Sequence, residues 1–169
     1  MTVVVWTVEG TWPACVDAAR AHALEGAEIV LLHVSGQDVP DAAHGAFAGL
    51  LGRGHGSGHG HGWGRDPGTR MEEQAAISGR ELLAAAADRL GRPCVRRELT
   101  GRVEREVVAA VEGADLLVLA RDGDRSHLGP HSLGPAARFV VDHAPCPVLL
   151  VWPEPAPDLT TIPPPPPHP

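Results

Sequence analysis

The strongest constraint on the fold is a recurrence of short apolar runs, each separated from the next by a segment with helical spacing. These runs are rich in Val, Leu and Ile and cover residues 2–8, 28–34, 115–120 and 148–152. Apolar runs without polar alternation are typical of strands buried on both faces, as in a parallel sheet. A more polar run at 94–98 predicts a fifth strand at a sheet edge.

Helix signals alternate with the strands. Thr11 stands at an N-cap position ahead of Pro13, and Gly26 is expected to close the first helix. Further helices are predicted over about 69–90, after Arg102 and from Gly134. The order β-α-β-α-β-α-β-α-β predicts right-handed crossovers and an α/β fold with a parallel, doubly wound sheet.

Composition excludes several classes of protein. The net charge of −7, without a Lys/Arg cluster, argues against a nucleic-acid partner. No run approaches the roughly 20 apolar residues of a transmembrane helix, so no membrane partner is expected. The three cysteines lack metal-ligand or disulfide spacing, which favours a reducing compartment and a cytoplasmic location.

Two segments fall outside the alternating pattern. A Gly/His-rich insert covers about residues 36–68, within a domain predicted over 1–152. Residues 153–169 include five consecutive prolines and are predicted to form a disordered, Pro-rich tail.

The insert is also the candidate metal site. His55, His59 and His61, with His44 upstream, could converge on a divalent ion. Ordering a glycine-rich loop is entropically costly, so no metal cofactor is expected. Weak metal binding by the insert is kept as an alternative.

Three segments resemble the universal stress protein family. The opening VVVWTVEGT resembles that family's first strand and loop, with Glu9 in place of Asp and Thr11 in place of Ser. The run EIVLLHV resembles its second strand. The stretch DLLVLARDG and the later HAPCPV from His143 to Val148 resemble its last two strands and their flanks.

The resemblance implies a flavodoxin-like, adenine nucleotide alpha hydrolase-like three-layer sandwich. Its five-stranded parallel sheet would have the order 3-2-1-4-5. It also implies a regulatory stress-response protein of bacterial type that forms a homodimer through the last strand. Many members bind ATP and others do not.

In such a sheet, ligands bind beyond the carboxyl ends of the strands where the strand order reverses, here between strands 1 and 4. The resemblance assigns adenosine to the ends of strands 1 and 2, and the phosphates to a Gly-rich loop and a helix N-terminus. The predicted cofactor-binding residues are Thr7, Glu9, Thr11, Val34, Gly123 and Gly134.

The Gly-rich loop departs from the family pattern of Gly, two residues, Gly, nine residues and Gly-Ser or Gly-Thr. Ala120 replaces the first Gly, ten residues separate Gly123 from Gly134, and Pro135 replaces the hydroxyl residue. Losing an N–H and a hydroxyl removes two hydrogen bonds to a charged group, each worth about 1.5–3 kcal/mol. That loss would weaken ATP binding by about a hundredfold or more.

Charge in the same loop also opposes phosphate. Asp122 and Asp124 flank Gly123, and Arg121 and Arg125 offset them only in part, together with His127 and His131. ATP is therefore a possible cofactor, and a non-nucleotide interaction module of the same fold is the alternative. No nucleophile elbow, Walker loop or metalloprotease motif is present, so we expect no catalytic residues and at most slow ATP hydrolysis.

Overall fold

The computed structural model describes residues 1–37 and 67–165. Within them the chain alternates strands and helices, as the apolar runs predict. The strands are β1 (Thr2–Trp6), β2 (Glu28–Gly36), β3 (Val95–Gly101), β4 (Leu116–Ala120) and β5 (Val148–Val151). The helices are α1 (Trp12–His22), α2 (Pro67–Leu90), α3 (Val103–Ala110) and α4 (Pro135–His143).

The five strands form one parallel sheet in the order β3-β2-β1-β4-β5. This confirms the predicted fold class and strand order. β1 is central, and its Val3 pairs with Ile29 of β2 on one side and Leu116 of β4 on the other. The strand order reverses at this point, so the loops after β1 and β4 leave the sheet side by side.

The sheet separates two apolar layers because successive residues of a strand point to opposite faces. Val3 and Val5 of β1 pack with α1 and α2 on one face. Val4 and Trp6 pack with α3 and α4 on the other. Burial on both faces explains why these runs lack polar alternation.

The first helix ends earlier than expected. α1 stops at His22, and Gly26 lies beyond it. Its φ of 84° is in the left-handed region that favours glycine. The Ala27 amide donates to the Leu24 carbonyl at 3.0 Å, so Gly26 belongs to the turn into β2 rather than to the helix end.

The Pro-rich tail differs from the expectation over its described part. Residues 159–161 form a 3₁₀ turn that Asp158 caps through the Thr160 amide, at 2.8 Å. The Thr161 hydroxyl oxygen accepts from the Leu128 amide at 3.0 Å, and the Glu154 carboxylate pairs with Arg125. The tail up to Pro165 therefore contacts the loop after β4, while the domain boundary after Trp152 stays a prediction.

Candidate functional site

A cavity of about 390 Å³ lies at the carboxyl end of β2, next to the loop that follows β1. Its lining combines a carboxylate, an imidazole, hydroxyls and main chain. The lining residues are Glu9, His33, Val34, Ser35, Gly36, Ala75, Ser78 and Leu82. Two of the predicted adenosine residues, Glu9 and Val34, thus line the same cavity.

Main chain of β2 is exposed to this cavity because β2 is longer than β1. The last pair between the two strands is Trp6 with Leu32, whereas β2 continues beside β3 as far as Gly36. Beyond Leu32, β2 therefore no longer pairs with β1. Main-chain groups at such a strand end can recognise the edge of a base.

His33 is fixed by the end of β1. Its Nδ1 lies 3.1 Å from the Thr7 carbonyl oxygen. A carbonyl only accepts, so Nδ1 donates to it. His33 is half-buried in the cavity wall.

Helix α2 approaches this wall closely at Gly79. A Cβ at Gly79 would lie 2.7 Å from His33 Cδ2 and 3.0 Å from Glu98 Oε1. His33 and Glu98 are register partners on β2 and β3. A glycine at this position therefore lets the helix close the side of the cavity.

The two predicted threonines already have partners within the chain. Thr7 is fully buried, and its hydroxyl donates to the Leu32 carbonyl at 2.8 Å. Thr11 is also buried, and its hydroxyl lies 3.5 Å from the Val8 carbonyl oxygen. The Thr7 hydroxyl ties the end of β1 to β2, and the Thr11 hydroxyl lies within the β1–α1 turn that carries Glu9.

The β4–α4 loop, residues 121–134, folds back on itself. The Gly123 amide donates to the Ser132 carbonyl at 2.9 Å, and the Asp124 amide donates to the His131 carbonyl at 2.8 Å. A Cβ at Gly123 would lie 2.4 Å from the His131 oxygen. The two sides of the loop are therefore packed backbone to backbone.

Asp122 occupies the N-terminus of α4. Its Oδ1 accepts from the amide of Gly134, the N-cap residue, at 2.8 Å. The next residue, Pro135, has no N–H to offer. The carboxylate of Asp122 thus lies where a helix N-terminus would otherwise attract an anion.

The arginines near this loop are also engaged. Arg121 donates to the Ser132 hydroxyl and lies over the Trp152 ring, 4.7 Å from its centroid. Arg125 pairs with Glu154, and Arg138 donates to the Pro130 carbonyl. All three guanidinium groups are therefore engaged by groups of the protein itself.

Asp124 adds a negative charge at the surface of the loop. Hydrogen bonds from the Ser126 hydroxyl and amide lower the pKa of Asp124 below its ordinary value, with a smaller effect from His127 and His131. Asp124 is therefore ionised at neutral pH.

Metal ligands do not converge in the part of the chain that the structure describes: no three His, Cys, Asp or Glu side chains there are placed to share an ion. The His-rich insert lies almost wholly outside the described residues. Among residues 1–37 and 67–165, none of the helices combines the length and hydropathy needed to cross a bilayer.

Sequence reasoning missed how His33 and Asp122 are used. Asp122 is a common N-cap residue type, but its carboxylate accepts from the amide of Gly134, twelve residues further along the chain. Local sequence signals for capping do not extend over that distance. The pairing of β2 with a shorter β1, which brings His33 to the cavity, depends on register.

A parallel sheet whose strand order reverses at its centre, with loops from the strand ends gathered there, is an architecture that many nucleotide-binding α/β proteins share. The family model described as the universal stress protein family matches residues 59–151, more than half of the chain. The chain therefore belongs to the universal stress protein family.

Solved structures give the same fold. UspA from Lactobacillus plantarum is 19% identical, with coverage of 89% of this chain and 97% of that one, at a TM-score of 0.54. A universal stress protein in complex with cAMP is 18% identical, with coverage of 91% and 98%, at 0.57. An Arabidopsis thaliana family protein with AMP bound is 19% identical, with coverage of 90% and 91%, at 0.52. No curated protein sequence matches the chain significantly.

Proposed function

We propose that this chain is a regulatory stress-response binding module whose switch-point cleft takes an adenine-containing ligand. The observation that carries the proposal is the cavity shared by Glu9 and Val34 at the carboxyl ends of β1 and β2. Two structural neighbours of the family hold cAMP and AMP, which supports an adenine ligand. The family resemblance assigns the adenosine to these same two positions.

Glu9 is suited to hold the ligand. It is exposed, lines the cavity, and makes no ion pair with any residue in the described ranges. A carboxylate can accept hydrogen bonds from both hydroxyls of a ribose. The β2 main chain beyond Leu32 lies beside it and can meet the base.

The test is binding of adenine ligands at millimolar concentration, by calorimetry and by thermal shift. We expect heat and a raised Tm with at least one member of an adenosine, AMP and ATP series. Glu9→Ala should reduce the affinity by about tenfold or more, through loss of charged hydrogen bonds. Glu25→Ala, at the opposite end of β2, is the matched control. Absence of binding by every adenine ligand would refute the proposal.

A non-nucleotide interaction module is the second candidate. The self-closed β4–α4 loop favours it, because the amides of Gly123, Asp124 and Gly134 are already bonded within the chain. The same titrations decide between the two candidates. In either case we expect no enzymatic activity beyond slow ATP hydrolysis.

The homodimer remains part of the proposal. β5 is an edge strand, and its four residues are only half-buried in the single chain. An unpaired, apolar edge is a template for a second copy. We expect sedimentation to show a dimer that Val151→Lys weakens, whereas Val95→Lys on the opposite edge strand leaves it intact. A wild-type monomer would contradict this.

A cytoplasmic location is likewise proposed. Cys15, Cys94 and Cys146 are all free thiols, which suits a reducing compartment.

Metal binding by the His-rich insert stays a separate prediction. Zinc titration of the full chain and of a chain with residues 52–64 deleted tests it, because the deletion should abolish zinc affinity.

A further inference from the structure

The two sides of the carboxyl end of β1 differ in what they can accept, since β2 lies on one side and β4 on the other. On the β2 side lies an open cavity of about 390 Å³, lined by Glu9. On the β4 side, the β4–α4 loop is hydrogen-bonded to itself. A ligand bound at the end of β1 therefore meets an open side and a closed side.

On the closed side, three main-chain donors of the loop already have partners within the chain. The amides of Gly123, Asp124 and Gly134 donate to Ser132, His131 and Asp122, at 2.8–2.9 Å. A Cβ at Gly134 would lie only 2.9 Å from Asp122 Oδ1. A phosphate would have to displace both the carboxylate and the loop backbone.

Charge adds to this exclusion. Glu9 lies in the cavity, and Asp122 and Asp124 lie in the loop. The guanidinium groups of Arg121, Arg125 and Arg138 are directed to Trp152, Glu154 and a backbone carbonyl. A triphosphate entering here would meet carboxylates without an unengaged arginine from this loop.

On the open side, the polar groups suit a neutral ligand that donates hydrogen bonds. The Glu9 carboxylate, which only accepts hydrogen bonds, lines this cavity. The hydroxyl of Ser78 lines the same wall. Ribose hydroxyls and an exocyclic amine are donors that match these acceptors.

We propose that the ligand of this cleft is an uncharged adenine nucleoside, and that Asp122 excludes the phosphorylated forms by occupying the α4 N-terminus. The inference rests on the proposed function and specifies the ligand class. Asp122 acts as an internal anion, and it determines specificity without touching the base.

The experiment is calorimetric titration of the full chain with adenosine, AMP and ATP. The variants are Asp122→Gly, which removes the internal anion, and Asp142→Asn, which changes one carboxylate near the far end of α4. We expect wild type to bind adenosine at least about tenfold more tightly than ATP. Asp122→Gly should reduce that ratio by about tenfold with little change for adenosine, and Asp142→Asn should preserve it.

The outcomes separate the two proposals. Wild-type binding of ATP at least as tight as that of adenosine would overturn the inference and leave the proposed function standing. An unchanged ratio in Asp122→Gly, with the variant folded by circular dichroism, would overturn the role of Asp122. Binding of none of the three ligands would refute both. The wild-type ratio needs no variant, so a misfolded Asp122→Gly protein does not prevent the test.

Discussion

Helix α2 can approach the sheet closely at Gly79 because glycine has no Cβ. His33 and Glu98 occupy the space that a Cβ would take. A glycine inside a helix costs about 1 kcal/mol relative to alanine, so the close approach to His33 outweighs that propensity. Sequence spacing alone does not indicate why a glycine stands here, because the neighbours that require it come from β2 and β3.

Gly79→Ala is expected to destabilise the protein by about 1–2 kcal/mol, since overpacking exceeds the gain in helix propensity. The measurement is urea unfolding of wild type and variant. The control repeats the substitution in a His33→Ala background, where the ring is gone and the cost should fall. An equal cost in both backgrounds would show that His33 is not the obstacle.

Cys15 is the least reactive of the three thiols. It lies on the buried face of α1, and burial raises its pKa to about 12. A cysteine attacks an alkylating reagent as the thiolate, which such a pKa makes scarce at neutral pH.

We expect iodoacetamide at pH 8 to modify Cys94 before Cys15, and Cys15 to react only after unfolding in guanidinium. Burial also raises the pKa of Cys146, so Cys94 serves as the reference thiol. Peptide mass spectrometry gives the order. Labelling of Cys15 in the native protein at the rate of Cys94 would contradict the burial argument.

At the residue scale, two of the six predicted cofactor-binding residues line the cavity, and their binding role stays a prediction. Glu9 and Val34 share a cavity, and both follow directly from the ends of apolar strands. The contact from Asp122 to Gly134 depends on how a long loop closes. No local spacing encodes that closure.

A bidentate ion pair links α1 to α2. Arg89 donates to Asp17 through Nε at 2.9 Å and through an Nη at 2.7 Å. The hydrogen bonds from Arg89 lower the pKa of Asp17 below its ordinary 3.8. The side chains remain 44% and 48% exposed, so the stabilisation is small.

Asp17→Asn should lower the free energy of unfolding slightly, in a pH-dependent manner. The folded pKa is depressed, so the stabilisation is present above the unfolded pKa and is lost as pH falls through the folded one. Urea unfolding from neutral pH to about pH 2 should show the two proteins converging in acid. Asp88→Asn, at an exposed site on α2, is the control. A difference that grows in acid would be inconsistent with the ion pair.

At the element scale, apolar periodicity located the strands and helices to within a few residues. β3 and the end of β2 extend further than their apolar composition suggests, because the two strands pair through Gly36 and Gly101. α1 is shorter than expected, because Leu24 to Ala27 form a turn. Both differences arise from hydrogen bonding between segments.

For the whole molecule, the strand order followed from the family resemblance and the alternation of elements. The path of the tail did not, since proline content alone favours an extended, solvated chain. The tail instead meets the β4–α4 loop through the pair of Arg125 with Glu154 and through Thr161. These are side-chain contacts that composition does not reveal.

The tail contact has a direct test in amide exchange. Thr161→Val removes the acceptor for the Leu128 amide, so that amide should exchange about five- to tenfold faster. Thr160→Val is the control, because Thr160 contributes its main-chain N–H to the Asp158 cap. Hydrogen–deuterium exchange with fragmentation resolves the site. Equal rates at Leu128 in the two variants would mean that the tail does not protect the loop.

Trp152 lies at the junction of β5, the tail and the β4–α4 loop, with the Arg121 guanidinium over its indole ring. A cation this close to an indole shifts its emission, so the fluorescence of Trp152 depends on where Arg121 lies. With the other three tryptophans replaced by phenylalanine, this residue would become a single optical reporter. Stopped-flow mixing could then follow the opening of the loop in real time.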